Sequence, residues 1–220
     1  MQTINLPMKI RLTLIFLLLN CFLSYAQYEW TSGQLILKNG DSLIGFIQIP
    51  MNVARLVSLG KSEVEFKEDM QGYVNSYDKS QVEKIIFNTY DANPGYYEYA
   101  LLKKRKYRIF KLLLDGKVKL YTRTVAIEHK EKIIDNPYNP NSDVDVFKYH
   151  YEEEQEFYVI REDETKLTPL ISHYSLSNFK NRALKYFSDC KDLTEYLKED
   201  LYEEIDIIEL VNDYNLICEF

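Results

Sequence analysis

The spacing of apolar residues changes once along this chain, near Ser175, and that change limits the folds open to it. Before Ser175, short runs alternate apolar and polar residues and are separated by turn residues. After it, apolar residues recur every three or four positions, as on one face of a helix. Strands followed by helices predict an α+β fold: a mainly antiparallel β-sheet or partly closed barrel, then a C-terminal helical tail of two to three helices.

The β-rich domain is expected over residues 27–174, with its first hairpin at 33–49. Asn39-Gly40 between two apolar runs is a strong hairpin signal, because both residues tolerate positive φ. A two-residue loop would pair Lys38 with Asp41 and place four apolar side chains on one face: Leu35, Leu37, Ile44 and Phe46. Further alternating runs predict strands at 63–67, 73–77, 82–90, 156–161 and 166–171.

A second hairpin is expected over residues 107–123, with its turn at Asp115-Gly116. A two-residue loop would mix polar and apolar side chains on both faces. A three-residue loop with a left-handed Gly116 at a bulge instead pairs Leu112 with Val118 and Phe110 with Leu120. We therefore predict the bulged register, with the opposite face carrying Tyr107, Lys111, Lys117, Lys119, Tyr121 and Arg123. A long polar loop is expected to follow.

The helical tail is predicted over residues 175–220 and packs on the β-domain. A stripe after a Ser cap contains Leu176, Phe179, Ala183, Leu184 and Phe187. A shorter stripe contains Leu193, Tyr196 and Leu197, and the clearest one contains Ile207, Leu210, Val211, Tyr214, Ile217 and Cys218. Three amphipathic segments of this kind each predict a helix with one buried face.

Residues 1–26 have the order of a secretory signal peptide. Lys9 and Arg11 precede a mostly apolar run at 12–23, and Ser24-Tyr25-Ala26 offers small residues for cleavage after Ala26. The run is shorter than the roughly 20 apolar residues of a membrane span. We therefore expect an exported protein, periplasmic, outer-membrane-associated or secreted, with no integral membrane span after cleavage. An uncleaved anchor and lipid attachment at Cys21 are the alternatives. Lipoprotein processing requires a small residue just before the cysteine, and Asn20 is not one.

Removal of the signal changes the charge and the cysteine count. Without Lys9 and Arg11 the chain keeps 25 basic against 34 acidic residues, so binding to nucleic acid is not expected. Loss of Cys21 leaves Cys190 and Cys218 in an oxidising compartment. We predict that these two cysteines form a disulfide, at opposite ends of the helical tail.

No motif in the sequence predicts an enzyme, a cofactor or a metal site. His129, His150 and His173 occur without a Gly-x-Ser-x-Gly or His-Glu-x-x-His pattern, and Ser172 beside His173 does not by itself provide a nucleophile–base pair. Gly60-Lys61-Ser62 copies the end of a phosphate-binding loop, but Arg55 stands where its first glycine belongs. The Asx-rich loop 139–145 lacks the glycine and glutamate of a calcium-binding EF-hand. A small envelope hydrolase, with a site assembled from these histidines and carboxylates, is the alternative to a non-enzymatic envelope protein.

One basic concentration stands out on this acidic chain. The candidate anion-binding residues are Lys104, Arg105, Lys106, Arg108, Lys111, Lys119 and Tyr121. They would bind an anionic envelope component, or the chain would bind another envelope protein. The alternative, which we favour, is that the lysines protect a sheet edge and are neutralised by Glu152, Glu153, Glu154 and Glu156.

Three short motifs resemble those of uncharacterised exported proteins of Bacteroidota. They are Asn39-Gly40-Asp41 in the first hairpin, Phe187-Ser188-Asp189-Cys190 between helices, and Tyr214-Asn215 shortly before Cys218. The resemblance implies an envelope or secreted location. It implies no catalytic residue.

Overall fold

The computed structural model describes residues 30–49, 63–87, 94–133, 146–173 and 175–218. Their strands form one antiparallel sheet in the order β10-β9-β8-β7-β6-β5-β1-β2-β3-β4. The strands are β1 Thr31–Leu37, β2 Ser42–Gln48, β3 Val64–Lys67, β4 Asn75–Tyr77, β5 Val82–Phe87, β6 Gly95–Lys103, β7 Lys106–Leu114, β8 Val118–Ile133, β9 Val146–Arg161 and β10 Thr168–Ile171. The helices are α1 Phe179–Tyr186, α2 Lys191–Lys198 and α3 Ile207–Ile217, with a 3-10 turn at Glu204–Asp206. The predicted α+β class with a helical tail is confirmed, and the sheet is open.

Buried side chains form three clusters. The N-terminal core contains Leu35, Ile47, Val64, Phe66, Val82, Ile85 and Ile109. The helix-side core lies between β8–β10 and the helices, and includes Val118, Leu120, Val159, Leu170, Phe179, Phe187, Leu193, Leu210, Val211 and Tyr214. The tyrosine core contains Phe110, Tyr121, Tyr158 and Leu167. Since adjacent strand residues point to opposite faces, Ile109 and Phe110 send β7 into two cores on opposite faces of the sheet.

The register of the first hairpin differs by one residue from the prediction. Leu35 lies opposite Leu43, and the Leu37 amide donates to the Asp41 carbonyl, so the loop has three residues. Gly40 has a φ of +92°, and Asn39 is not among the positive-φ residues of the described chain. A two-residue type I′ turn needs positive φ at both positions, so the predicted pairing of Lys38 with Asp41 was wrong. Ile44 is consequently 67% exposed, whereas Ile47 is buried.

The second hairpin also departs from the predicted register. Leu112 lies opposite Tyr121 and Leu114 opposite Leu120, with a bulge between Leu112 and Leu114. The predicted pairs, Leu112 with Val118 and Phe110 with Leu120, were therefore wrong, and so was the left-handed Gly116. The reason is tertiary: a Cβ on Gly116 would lie 2.6 Å from the Asn215 side-chain nitrogen, so this turn is shaped by helix α3 packed upon it.

Two stretches of strand were missed by the sequence analysis. β6 was not predicted, and the expected polar loop after residue 123 is largely an arm made of the long strands β8 and β9. These two strands pair without interruption from Val118 opposite Arg161 to Ile133 opposite Val146. Charged residues on both faces of the arm hide the alternation that usually identifies a strand.

The helices start and end close to their predicted stripes. Asn178, rather than Ser175, caps α1 by accepting a hydrogen bond from the Asn181 amide, and Leu176 is fully exposed. Leu193 and Leu197 are buried as predicted, while Tyr196 and Ile217 are exposed. These helices bury their apolar faces against the sheet and so position the cleft described next.

Candidate functional site

An open cleft of about 710 Å³ lies where the end of β9, the start of β10 and helix α1 meet. Ten residues line it: Arg161, Asp163, Glu164, Thr168, Pro169, Arg182, Lys185, Tyr186, Ser188 and Asp189. Its walls therefore carry three basic and three acidic side chains. A cleft of this size accepts a small polar ligand or the end of a larger one.

Arg161 organises the wall of the cleft. One guanidinium nitrogen, Nη2, donates to the Tyr186 carbonyl at 2.8 Å, to Asp189 Oδ1 at 2.8 Å and to the Tyr214 hydroxyl at 3.2 Å. Its Nη1 lies 3.7 Å from Glu164 Oε1. Because Arg161 ends β9 opposite Val118, it is carried to the point where α1 and α3 pack on the sheet. Its donors are thus used to hold helices to the sheet.

Two tyrosines complete this network. The Tyr214 hydroxyl donates to Asp189 Oδ2 at 2.5 Å, and the Tyr186 hydroxyl donates to Glu164 Oε2 at 2.8 Å. Burial and the bond to Asp189 raise the pKa of Tyr214 to about 12. Burial and the bond to Glu164 also raise the pKa of Tyr186. Both phenols therefore stay protonated near neutral pH and cannot act as bases there.

The remaining wall of the cleft offers recognition groups. Arg182 Nε donates to the Leu170 carbonyl at 2.6 Å, and burial lowers the pKa of its guanidinium. Lys185 is exposed, and Thr168 and Ser188 add hydroxyls. Among the described lining residues there is no histidine or cysteine to pair with these hydroxyls. The arrangement offers donors and acceptors that can bind polar groups.

The three histidines lie elsewhere, on and beside the arm. His129 and His150 face each other across β8 and β9, with their rings stacked at 5.4 Å. Their Nε2 atoms lie 3.6 Å and 3.4 Å from the Glu152 carboxylate. His173 Nδ1 lies 3.4 Å from Glu154 instead. Each histidine therefore has a carboxylate neighbour, and none of the three lines the cleft.

A buried ion pair escaped the sequence analysis. Glu156 is 1% exposed, and its Oε2 accepts from Arg123 Nε and Nη2 at 2.8 Å and 2.7 Å and from the Tyr158 hydroxyl at 2.6 Å. Its Oε1 accepts from the Ser172 hydroxyl at 2.8 Å. Burial raises the pKa of Glu156, but the Tyr158 bond and the Arg123 charge outweigh it, so the pKa is lowered. The register opposing Arg123 to Glu156 is the signal that sequence alone does not supply.

The predicted anion-binding residues do not form one surface. Lys104, Arg105 and Lys106 are exposed at the β6–β7 turn, whereas Arg108 lies within β7 and is only partly exposed. Lys111 lies opposite Thr122, so alternation along β8 puts Lys119 and Tyr121 on the other face.

Two of the predicted anion-binding residues already contact acidic side chains of the same chain. Tyr121 is buried and donates to Glu98, and burial together with that bond raises its pKa. Lys119 pairs with Asp115 at 3.3 Å. The predicted single basic face was therefore wrong.

Three of the four β9 glutamates that were expected to neutralise the lysines have other neighbours. Glu152 lies beside the histidine pair, Glu154 beside His173, and Glu156 on Arg123. The lysines of the β6–β7 turn have no ion pair among the described residues. Anion binding by that turn stays a prediction.

The predicted cysteine pair is confirmed by its geometry. Cys190 Sγ and Cys218 Sγ are bonded, with 5.6 Å between the Cα atoms. The bond joins the N-terminal cap of α2 to the C-terminal cap of α3. It therefore closes the helical tail on itself.

Two absences hold within the described ranges. No group of three or more His, Cys, Asp or Glu side chains there is arranged to hold a metal ion. No helix there is long and apolar enough to cross a membrane. The predicted signal peptide lies outside the described residues.

Comparisons of the chain with protein-family models, curated proteins and solved structures found no match. The resemblance to exported Bacteroidota proteins therefore stays a prediction.

Proposed function

We propose that this chain is an exported, non-enzymatic protein of the cell envelope that binds or scaffolds another envelope component through the cleft beside α1. The observation that carries the proposal is the chemistry of the cleft. Arg161, Asp189, Glu164 and the two tyrosine hydroxyls bond to one another, so the wall is stiff and its strongest groups are occupied. Stiff, polar and open walls suit recognition rather than group transfer.

Lys185 provides the test of binding. It lines the cleft from the last turn of α1, and Lys198 likewise lies in the last turn of α2, outside the cleft. We expect Lys185→Glu to abolish capture of the envelope component from a solubilised envelope fraction. Lys198→Glu makes the same charge change and should leave capture intact. Equal capture by both variants would contradict binding at the cleft.

Export has its own test. The full chain carrying a C-terminal tag should appear in the periplasmic, outer-membrane or medium fraction, and its N-terminal residue should be Gln27. An N-terminus that retains residues 1–26 would favour the uncleaved anchor. Fatty-acid labelling at Cys21 would favour a lipoprotein.

The hydrolase alternative has one observation in its favour, because His173 has a carboxylate neighbour and follows Ser172 in the chain. The Ser172 hydroxyl, however, donates to Glu156. A fluorophosphonate probe distinguishes the two readings, since an activated serine reacts with it covalently. We expect no labelling of the purified mature protein, and labelling lost in Ser172→Ala would establish the alternative.

A further inference from the structure

Three turns bring lysines and an arginine together at one end of the sheet. The β1–β2 turn supplies Lys38, the β4–β5 turn supplies Lys79, and the β6–β7 turn supplies a run of four: Lys103, Lys104, Arg105 and Lys106. All six side chains are exposed. We call this set the basic end.

Specific contacts hold the three turns side by side. Lys38 donates through its backbone amide to the Gln81 carbonyl at 2.8 Å and through Nζ to the Lys79 carbonyl at 2.8 Å. Lys79 Nζ in turn lies 3.6 Å from the centre of the Tyr107 ring, directly after the basic run. Lys104 has a φ of +50°, which gives the β6–β7 turn its tight shape. The cations are therefore presented by an ordered surface.

The charge of this surface opposes that of the whole chain. Residues 38–41, 78–81 and 103–106 carry six basic side chains and two acidic ones, Asp41 and Asp78, in a protein of net charge −7. Both carboxylates have local partners, since Asp41 accepts from the Asn39 side chain and Asp78 from Ser80. Among the described ion pairs, none involves a member of the basic end. The local field therefore attracts anions toward an otherwise acidic molecule.

The cations are spread along a row. The turns cap the adjacent strands β7, β6, β5, β1 and β2. Neighbouring strands lie about 4.8 Å apart, so five strand ends span about 19 Å. A row of that length matches several repeating charges of a linear polymer better than one small anion.

The residues of the row also favour a soluble polymer over a membrane surface as the ligand. Stable peripheral binding to a membrane combines basic residues with apolar side chains or a lipid that insert. The large apolar side chains exposed in the described ranges include Ile44, Tyr73 and Leu176, and none of them lies in the three turns. A basic row without inserting groups suits a hydrated polyanion.

We propose that the basic end binds a linear acidic polysaccharide, with carboxylates of successive sugars meeting the turn cations. The site is separate from the cleft beside α1. It adds a second binding surface to the proposed envelope role and names the class of its ligand. Lys38 and Lys79 belong to it although they are distant in sequence from the basic run.

A defined polyuronate oligosaccharide, titrated into the purified mature protein by calorimetry, tests the proposal. The triple variant Lys103→Gln, Arg105→Gln, Lys106→Gln should lose affinity about tenfold or more, because half of the row is removed. Lys104 is kept so that the turn retains its conformation. The matched control, Lys180→Gln, Lys191→Gln, Lys198→Gln, removes the same charge from the helical tail, outside the row. Lys38→Gln with Lys79→Gln should give an intermediate loss.

Raising the salt from about 0.01 M to about 1 M should also weaken binding, since the Debye length falls from about 30 Å to about 3 Å. Equal losses in the triple variant and its control would overturn the proposal, as would no binding at low salt. Binding to phosphatidylglycerol vesicles with none to the polyuronate would replace it with a membrane site. Because Lys185→Glu is expected to bind the polyuronate normally, failure of the cleft proposal can be told apart from failure of this one.

Discussion

Glu156 shows how a single residue depends on contacts that are far apart in sequence. Its carboxylate is buried against Arg123, Tyr158 and Ser172, so the ionised form is stabilised by groups from β8, β9 and the segment after β10. A buried pair of this kind costs a great deal to break, because the remaining charge keeps its desolvation penalty. Glu156 should therefore stabilise the fold, and its contribution to the free energy of unfolding should depend on pH.

Stability at acidic pH should report on Glu156. Its pKa is lower in the folded state, so its contribution is present above the unfolded pKa of about 4.3 and is lost as the pH falls through the folded value. Glu156→Gln should cost about 3 to 5 kcal/mol at pH 7, because the Arg123 guanidinium, only 15% exposed, is left without its carboxylate. Urea unfolding measured from neutral to acidic pH should show a smaller acid loss in this variant. Glu153→Gln, at an exposed position, should behave as wild type.

Gly116 and Asn215 form a second long-range residue pair. The Asn215 side chain accepts from the Val118 amide and donates to the Val118 carbonyl, at 2.8 Å and 2.9 Å. In Gly116→Ala the new Cβ displaces the side-chain amide of Asn215 and breaks these two hydrogen bonds. We therefore expect the free energy of unfolding to fall by about 1 to 3 kcal/mol. Unfolding of the single and double variants checks the cause, because Gly116→Ala should be almost harmless in an Asn215→Ala background. An unchanged cost there would show that Asn215 is not what the Cβ meets.

The register of the first hairpin decides which side chains of β2 are buried. A shift of one residue exchanges the two faces of a strand, and one left-handed glycine decides that shift. Ile44 is exposed, and Ile47 is packed in the N-terminal core. The two isoleucines of β2 therefore have opposite roles.

Truncation of these isoleucines tests the register. Ile47→Ala should cost about 2 to 5 kcal/mol by opening a cavity, whereas Ile44→Ala should stay within about 0.5 kcal/mol of wild type. Chemical denaturation measures both. The reverse order would restore the register predicted from the Asn39-Gly40 pair.

The helical tail is closed by the bond between Cys190 and Cys218, which lie 28 residues apart. In the chain-entropy treatment a loop of this size stabilises by about 3 to 4 kcal/mol. The double variant Cys190→Ser, Cys218→Ser should lose stability on that order in urea unfolding. Adding a reductant should destabilise the wild type and leave the variant unchanged. A wild type unaffected by full reduction would contradict the stabilising role.

Strands of the one open sheet contribute side chains to all three cores of the molecule. The N-terminal core and the tyrosine core lie on opposite faces around β7, and the helices cover β8–β10 on the helix-side face. The cleft forms where those helices end against β9, while the basic end is built by turns at strand ends. The two proposed binding surfaces thus arise from different parts of one fold.

The sequence by itself determined the classes of element, their order and the cysteine pair. Periodicity reports local burial, so β1 to β5 and the amphipathic helices could be read directly from the chain. It also predicted the apolar members of the third helix, Ile207, Leu210, Val211 and Tyr214, which are buried. Charged residues on both faces hid the arm of β8 and β9 from the same analysis.

Only the tertiary structure decided the registers, the cleft and the grouping of charges. The register of the second hairpin depends on the packing of Asn215 over Gly116, a contact between residues far apart in sequence. The register of the first depends on which loop residue adopts positive φ, and Gly40 does so without Asn39. The predicted basic face divided because Lys111 and Lys119 point to opposite sides, while Lys38 and Lys79 came to the basic end from other turns. Side-chain alternation is a property of one strand, whereas the position of one strand against the next is set by contacts over the whole chain.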